Sequence, residues 1–159
     1  MAVQAVGGRA GDSSRNLAYI NYALLFAAIF FAGVPALIAA IIAYSQKDEA
    51  PPPIASHYDF QIRIFWVAFV IAMVAGLCFM GVVIGVAGEI FQVTRIEGWR
   101  IPDRVRVDLS DVVIDKTMVA LMAGTALFSA IGGLWLIFAP ALGFIKLASA
   151  RGMGQSPAT

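Results

Sequence analysis

The 159-residue chain has one cysteine, one histidine and few charges, and each scarcity removes a class of chemistry. With Cys78 alone, no intramolecular disulfide forms and no thiolate cage holds a metal. Cys78 lies in the apolar run GLCFMG, where a thiol serves as a buried packing group rather than a nucleophile. With His57 as the sole histidine, a paired axial ligation of haem is excluded. The chain contains no His-Glu-x-x-His, no nucleophile elbow and no phosphate-binding loop. No catalytic residue, cofactor or metal is therefore assigned. The net charge of +1 leaves no field that would gather nucleic acid. No internal repeat is present.

Charged residues make up 13% of the chain, against about 25% in a soluble domain. Hydrophobic residues make up 60%, and the mean hydropathy is +0.84. A globule this small has too much surface for its volume to bury such a surplus, so lipid is the solvent it requires.

Three runs carry the surplus. No charge interrupts the chain between Arg15 and Lys47, Arg63 and Glu89, or Lys116 and Lys146. A bilayer core of about 30 Å needs roughly 20 apolar residues, so each run is long enough to cross. The expectation is an all-α integral membrane fold of three transmembrane helices, over about 17–44, 62–88 and 117–147, in one domain of 17–148. The first run is too long for the apolar region of a cleaved signal peptide. Asn16, Tyr19 and Tyr22 at one end and Tyr44 at the other fit interfacial anchoring. Pro35, in mid-span, predicts a kink. The tails, 1–16 and 149–159, read as disordered. Continuous apolar runs exclude a transmembrane barrel.

Two connectors join the spans. The first holds Pro51–Pro53, which predict an extended polyproline segment and no helix. The second, 89–116, mixes both charge signs. Its first part extends the second helix towards the headgroups with Trp99 as an anchor, and the alternation of Val105, Val107 and Leu109 with Arg104, Arg106 and Asp108 suggests a short strand. With three spans the termini face opposite sides. Arg9, Arg15, Arg95, Arg100, Arg104, Arg106 and Lys116 then oppose Lys47, Arg63, Lys146 and Arg151. This leans towards a cytoplasmic N-terminus, but leaving out the long connector reverses the balance, so sidedness is not fixed.

The densest polar group stands where the second span begins, in ASHYDFQIRIFW. Ser56 and Asp59 have the spacing of a helix cap and short capping box. His57 and Gln61 fall one turn apart, and Arg63 lies within reach of Asp59. Tyr58 and Trp66 are aromatic residues near the interface. This is a capped, anchored helix start. It is also the one candidate interaction site, comprising His57, Tyr58, Asp59, Gln61, Arg63 and Trp66, for a lipid headgroup or a partner polypeptide. Asn21 is the notable amide within a span and suggests a polar helix–helix contact. Gly81-x-x-x-Gly85, with Gly76 nearby, and Ser129-x-x-x-Gly133 are small-residue faces suited to close helix packing, within the chain or between copies.

The run AYSQKDEAPPPIASHYDFQIRIFW resembles the signature of a family of small bacterial membrane proteins of unknown function. That family is distantly grouped with the small membrane subunit of the chloroplast inner-envelope import translocon. The similarity rests on Lys47, Asp48, Glu49, Ala50 and Pro51, then Ser56, His57 and Tyr58, then Phe60, Gln61, Ile62, Arg63, Phe65 and Trp66. Asp59 replaces the family's usual basic residue, and the second connector is longer. The resemblance implies an integral protein of a bacterial inner membrane, without a reaction. Three functions follow as expectations: a non-enzymatic accessory subunit, a component of a transport or protein-translocation assembly, and a lipid-acting enzyme using His57. The partners implied are the lipid bilayer and either a larger membrane complex or a second copy.

Overall fold

The structure, a computed structural model, describes residues 2–96, 115–149 and 153, with side chains over 12–91, 115–149 and 153. Four helices make up the described fold: α1 (Ala2–Ala27), α2 (Val34–Gln46), α3 (Pro52–Ile96) and α4 (Lys116–Ala148). No strand occurs among the described residues, and the alternating stretch 104–109 lies outside them, as does Trp99.

The first expected span is two helices. A six-residue turn, 28–33, separates α1 from α2, and the two fold back on each other. Pro35 does not kink a continuous helix but stands in the first turn of α2, where its missing N–H has no acceptor to lose. Gly33, just before it, is left-handed at φ 82°, and Ala32 also has a positive φ of 49°. Consecutive left-handed residues reverse the chain, and only glycine takes that conformation without a steric penalty. The expected disordered tail is corrected as well. α1 starts at Ala2, and Ser14 and Arg15 make tertiary contacts described below.

The proline run also departs from expectation. Pro51 precedes α3, Pro52 and Pro53 open it, and the carbonyl of Pro51 accepts from Ile54 N at 2.8 Å and Ala55 N at 2.9 Å. The first N–H groups of a helix have no intrahelical acceptor. Prolines at these positions leave no donor unsatisfied, so the run starts a helix instead of forbidding one. Ser56 is accordingly a second-turn residue and no cap, and Asp59 closes no capping box. A side-chain cap does occur at α4, where Asp115 Oδ1 accepts from Met118 N at 2.7 Å.

The described chain divides into two compact units. The first, Met1–Val70 with Ile131–Thr159, holds α1, α2, the beginning of α3 and the end of α4. Its core is small and aromatic: Ala18, Tyr22, Leu25, Ala36, Ala39, Ala43, Tyr58, Ile64, Ala139 and Leu147. Tyr22, expected at the membrane interface, is buried here. Its ring lies against Gly143 so closely that a Cβ there would overlap it. Tyr19 meets Phe144 edge-on at 5.1 Å between ring centroids, and Trp135 Nε1 donates to the Ile64 carbonyl at 3.2 Å.

The second unit, Ile71–Ala130, pairs the later part of α3 with the first part of α4. The Gly81-x-x-x-Gly85 face serves this intramolecular contact: a Cβ on Gly81 would stand 2.9 Å from Leu121, and one on Gly85 2.9 Å from Met118. Cys78 faces Gly124. The other small residues behave differently. Nothing lies within 4 Å of a Cβ placed on Gly76 or Gly133, and Ser129 is exposed, so no close helix contact forms there.

α3 and α4 are long and apolar enough to cross a membrane, over Pro52–Phe91 and Lys116–Ala148. α2 is not: its 13 residues rise only about 20 Å.

These contacts separate the glycines by consequence. Gly143→Ala should destabilise the protein by about 1–3 kcal/mol through overpacking against a rigid ring. Gly76→Ala and Gly133→Ala should be neutral or stabilising by up to about 1 kcal/mol, the helix-propensity gain. Thermal unfolding of the three variants in one detergent checks the order.

Candidate functional site

A helix turns about 100° per residue, and that rotation divides the residues of ASHYDFQIRIFW between two faces. His57, Tyr58, Gln61 and Ile64 point inward and are buried, whereas Asp59, Arg63 and Trp66 point outward and are exposed. The six candidate residues therefore do not form one site.

The inward group joins α1 and α2 in a buried polar cluster. Asn21 on α1 donates through Nδ2 to the Ala39 carbonyl of α2 at 2.9 Å and to Gln61 Oε1 of α3 at 2.6 Å. Gln61 Nε2 donates back to the Ala18 carbonyl of α1 at 3.0 Å. Two amide side chains thus tie three helices together. Asn21, His57 and Gln61 are each no more than 1% exposed. The amide orientation of Asn21 follows from its partners: reversed, its oxygen would face the two acceptor oxygens. Asn21 Oδ1 itself is buried without a hydrogen-bond partner.

One turn earlier on α3, His57 Nδ1 and the Tyr22 hydroxyl are hydrogen-bonded at 3.0 Å, and the two rings meet edge to face. Tyr58 hydroxyl donates to the Ser14 carbonyl at 2.9 Å. Chemically, the cluster positions helices. An imidazole open to a lipid headgroup or a substrate is a different arrangement from a buried ring held by a tyrosine. Among the described residues no three His, Cys, Asp or Glu side chains converge as a metal site.

The outward group sits among aromatic rings. Trp66 Nε1 donates to the Tyr44 hydroxyl at 2.9 Å, and Trp66 and Phe65 meet Phe69 at 5.7 and 6.0 Å. Lys47 Nζ lies 5.8 Å from the Tyr44 ring centroid. Such a cation–aromatic pair beside an apolar surface matches the chemistry of a bilayer interface.

Asn21 makes the helix–helix contact its sequence position suggested. Its pairing with Gln61, forty residues away, had no local signal, and neither did the Tyr22–His57 bond. The spacing of Ala18, Tyr22 and Leu25 does mark the inward face of α1 in hindsight, since all three are buried at helical intervals.

If the amide pair holds the three helices, its two members should be energetically coupled. Asn21→Leu leaves Gln61 Oε1 and the Ala39 carbonyl without their donor, a loss of about 1–3 kcal/mol. Gln61→Leu should cost a similar amount, and the double variant less than the sum. A double-mutant cycle by unfolding in micelles should return a coupling of about 0.6–1.7 kcal/mol, the range for hydrogen bonds between membrane helices.

No protein-family model matches this sequence, and no curated protein and no solved structure matches it either.

Proposed function

We propose that the chain is an integral membrane protein, of a bacterial inner membrane, that acts as a non-enzymatic accessory subunit of a larger membrane assembly. The observation that carries the membrane reading is the outer surface of α3 and α4. Leu77 is 68% exposed, Ile84 65% and Phe91 75% on α3, and Phe138 is 62% exposed on α4. Water would penalise each of these side chains by roughly 1.5–3 kcal/mol relative to an apolar surrounding. Within α4 the Thr125 hydroxyl points the same way, since its proton is donated to the Leu121 carbonyl at 2.9 Å.

The accessory reading is supported by the use made of the polar residues. His57, Gln61 and Asn21, the groups best suited to chemistry, are committed to joining helices inside the protein. A lipid-acting enzyme built on His57 would need that ring open to its substrate, whereas it is 1% exposed. The family resemblance of 43–66 fits an accessory role and supplies no reaction. A second reading, a component of a transport or translocation assembly, draws on the open faces at Gly76 and Gly133. There another helix would meet no side chain of this chain within 4 Å of an added Cβ. Two crossing helices enclose no pore, so this version requires several copies or a partner.

The protein should remain in the membrane pellet after alkaline carbonate washing; release would remove the membrane reading. After extraction in a mild detergent it should migrate as a complex with other membrane proteins. A monodisperse monomer would remove the accessory reading, and loss of a cellular phenotype on His57→Ala with folding intact would favour the enzyme instead.

A further inference from the structure

We infer that α1 and α2 form a re-entrant hairpin, entering the hydrocarbon from one face of the bilayer and returning to that face, with its turn against lipid acyl chains. The inference rests on the reading of α3 and α4 as membrane-crossing helices.

The first argument is positional and lies wholly within the first unit. Three hydrogen bonds gather the beginning of α3, the end of α4 and the polar stretch of α1. Tyr58 hydroxyl donates to the Ser14 carbonyl at 2.9 Å, Arg15 Nη2 reaches the Leu147 carbonyl at 3.4 Å, and Met153 N donates to Ser56 Oγ at 2.9 Å. Where α3 begins and α4 ends is one face of the bilayer. Ser14 and Arg15 belong to that face, and so does the segment 47–51, which runs directly into α3. The chain between Arg15 and Lys47 therefore leaves and regains one side.

The second argument is length. The apolar part of α1, Leu17–Ala27, rises about 17 Å and α2 about 20 Å. Each falls short of a core of about 30 Å, in the range typical of re-entrant segments.

The third argument is the chemistry of the turn. Turns in water favour glycine, asparagine, aspartate and serine, whereas this one reads AIFFAG with Phe30 74% and Phe31 65% exposed. From Ala23 to Ala43 the chain carries no polar side chain at all. Hydrocarbon favours backbone donors that are satisfied internally, and four of the six N–H groups of the turn 28–33 are so bonded, those of Phe31 and Ala32 having no backbone acceptor among the described residues. Ala28 N reaches Leu24 O, Ile29 N Phe26 O, Phe30 N Ala27 O, Gly33 N Ala28 O and Val34 N Phe31 O, all at 2.9–3.4 Å, and Pro35 has no donor. Lipid is the occupant these features describe. Charges stand only at the mouth of the hairpin, on Arg15, Lys47, Asp48 and Glu49, beside Tyr19, Tyr44 and Trp66.

Thus Ser14 and Arg15, the 47–51 connector and the end of α4 share one side, and α3, as a span, carries the chain to the other. Three full spans would place the N-terminal segment opposite 47–51.

The test uses the full chain with Cys78→Ser, which removes the only native thiol, and single cysteines introduced as Asp12→Cys, Asp48→Cys and Asp108→Cys. Each is probed with an impermeant maleimide on sealed vesicles of known orientation. Asp48→Cys and Asp108→Cys should label from opposite sides; labelling from one side would overturn α3 as a span, and the hairpin with it. Given opposite sides, Asp12→Cys labelling with Asp48→Cys supports the hairpin, and labelling with Asp108→Cys overturns it. A bimane on Phe31→Cys reads the environment of the turn. It should lose fluorescence in vesicles of acyl-chain-brominated lipid. Unchanged fluorescence would overturn the lipid contact, in favour of water if a soluble quencher reaches the probe and of a protein neighbour if it does not.

Discussion

The hydrogen bond between Asn21 and Gln61 is the interaction on which the rest of the first unit depends. It is short, buried and shared among three helices, because Asn21 also holds the Ala39 carbonyl and Gln61 also holds the Ala18 carbonyl. Apolar packing between helices is undirected. A pair of buried amides is directional: any register that separates them leaves polar groups without partners in an apolar interior. The alanines around them, Ala18, Ala36, Ala39 and Ala43, let the backbones come close enough for such short side chains to reach a neighbouring carbonyl.

That cluster also explains the two faces of α3. Inward, His57, Tyr58 and Gln61 are satisfied by α1. Outward, Asp59, Arg63 and Trp66 remain exposed, and Trp66 bonds the Tyr44 hydroxyl. A single short stretch thus fixes helices on one face and leaves charged and aromatic side chains exposed on the other. On the later part of α3, Gly81 and Gly85 face α4, whereas Gly76 has open space around it.

Two of the four helices were legible in the sequence because a long uninterrupted apolar run is a strong local signal. Uninterrupted apolar runs from Ile64 to Gly88 and from Thr117 to Ile145 lie within α3 and α4. The first run misleads because its length suffices for one span although the chain reverses inside it. A helix break inside it needed two local signals combined, Gly33 for the left-handed reversal and Pro35 for the restart, whereas proline by itself suggests a kink. The prolines at 51–53 mislead for a related reason: a proline run breaks a helix interior but suits its first turn, and sequence alone does not say which it will occupy.

Composition by itself determined that the chain carries more apolar side chains than so short a chain can hide. Local pattern determined where α3 and α4 run and which residues of 56–66 share a face. Tertiary structure alone decided that His57 and Gln61 face inward, that Asn21 and Tyr22 are their partners, and that Gly143 rather than Gly133 makes the close approach. The reason is physical: hydropathy is a property of each residue in turn. A hydrogen bond between residues 21 and 61 depends instead on the turn at 28–33 and the crossing of three helices, which no window of sequence contains.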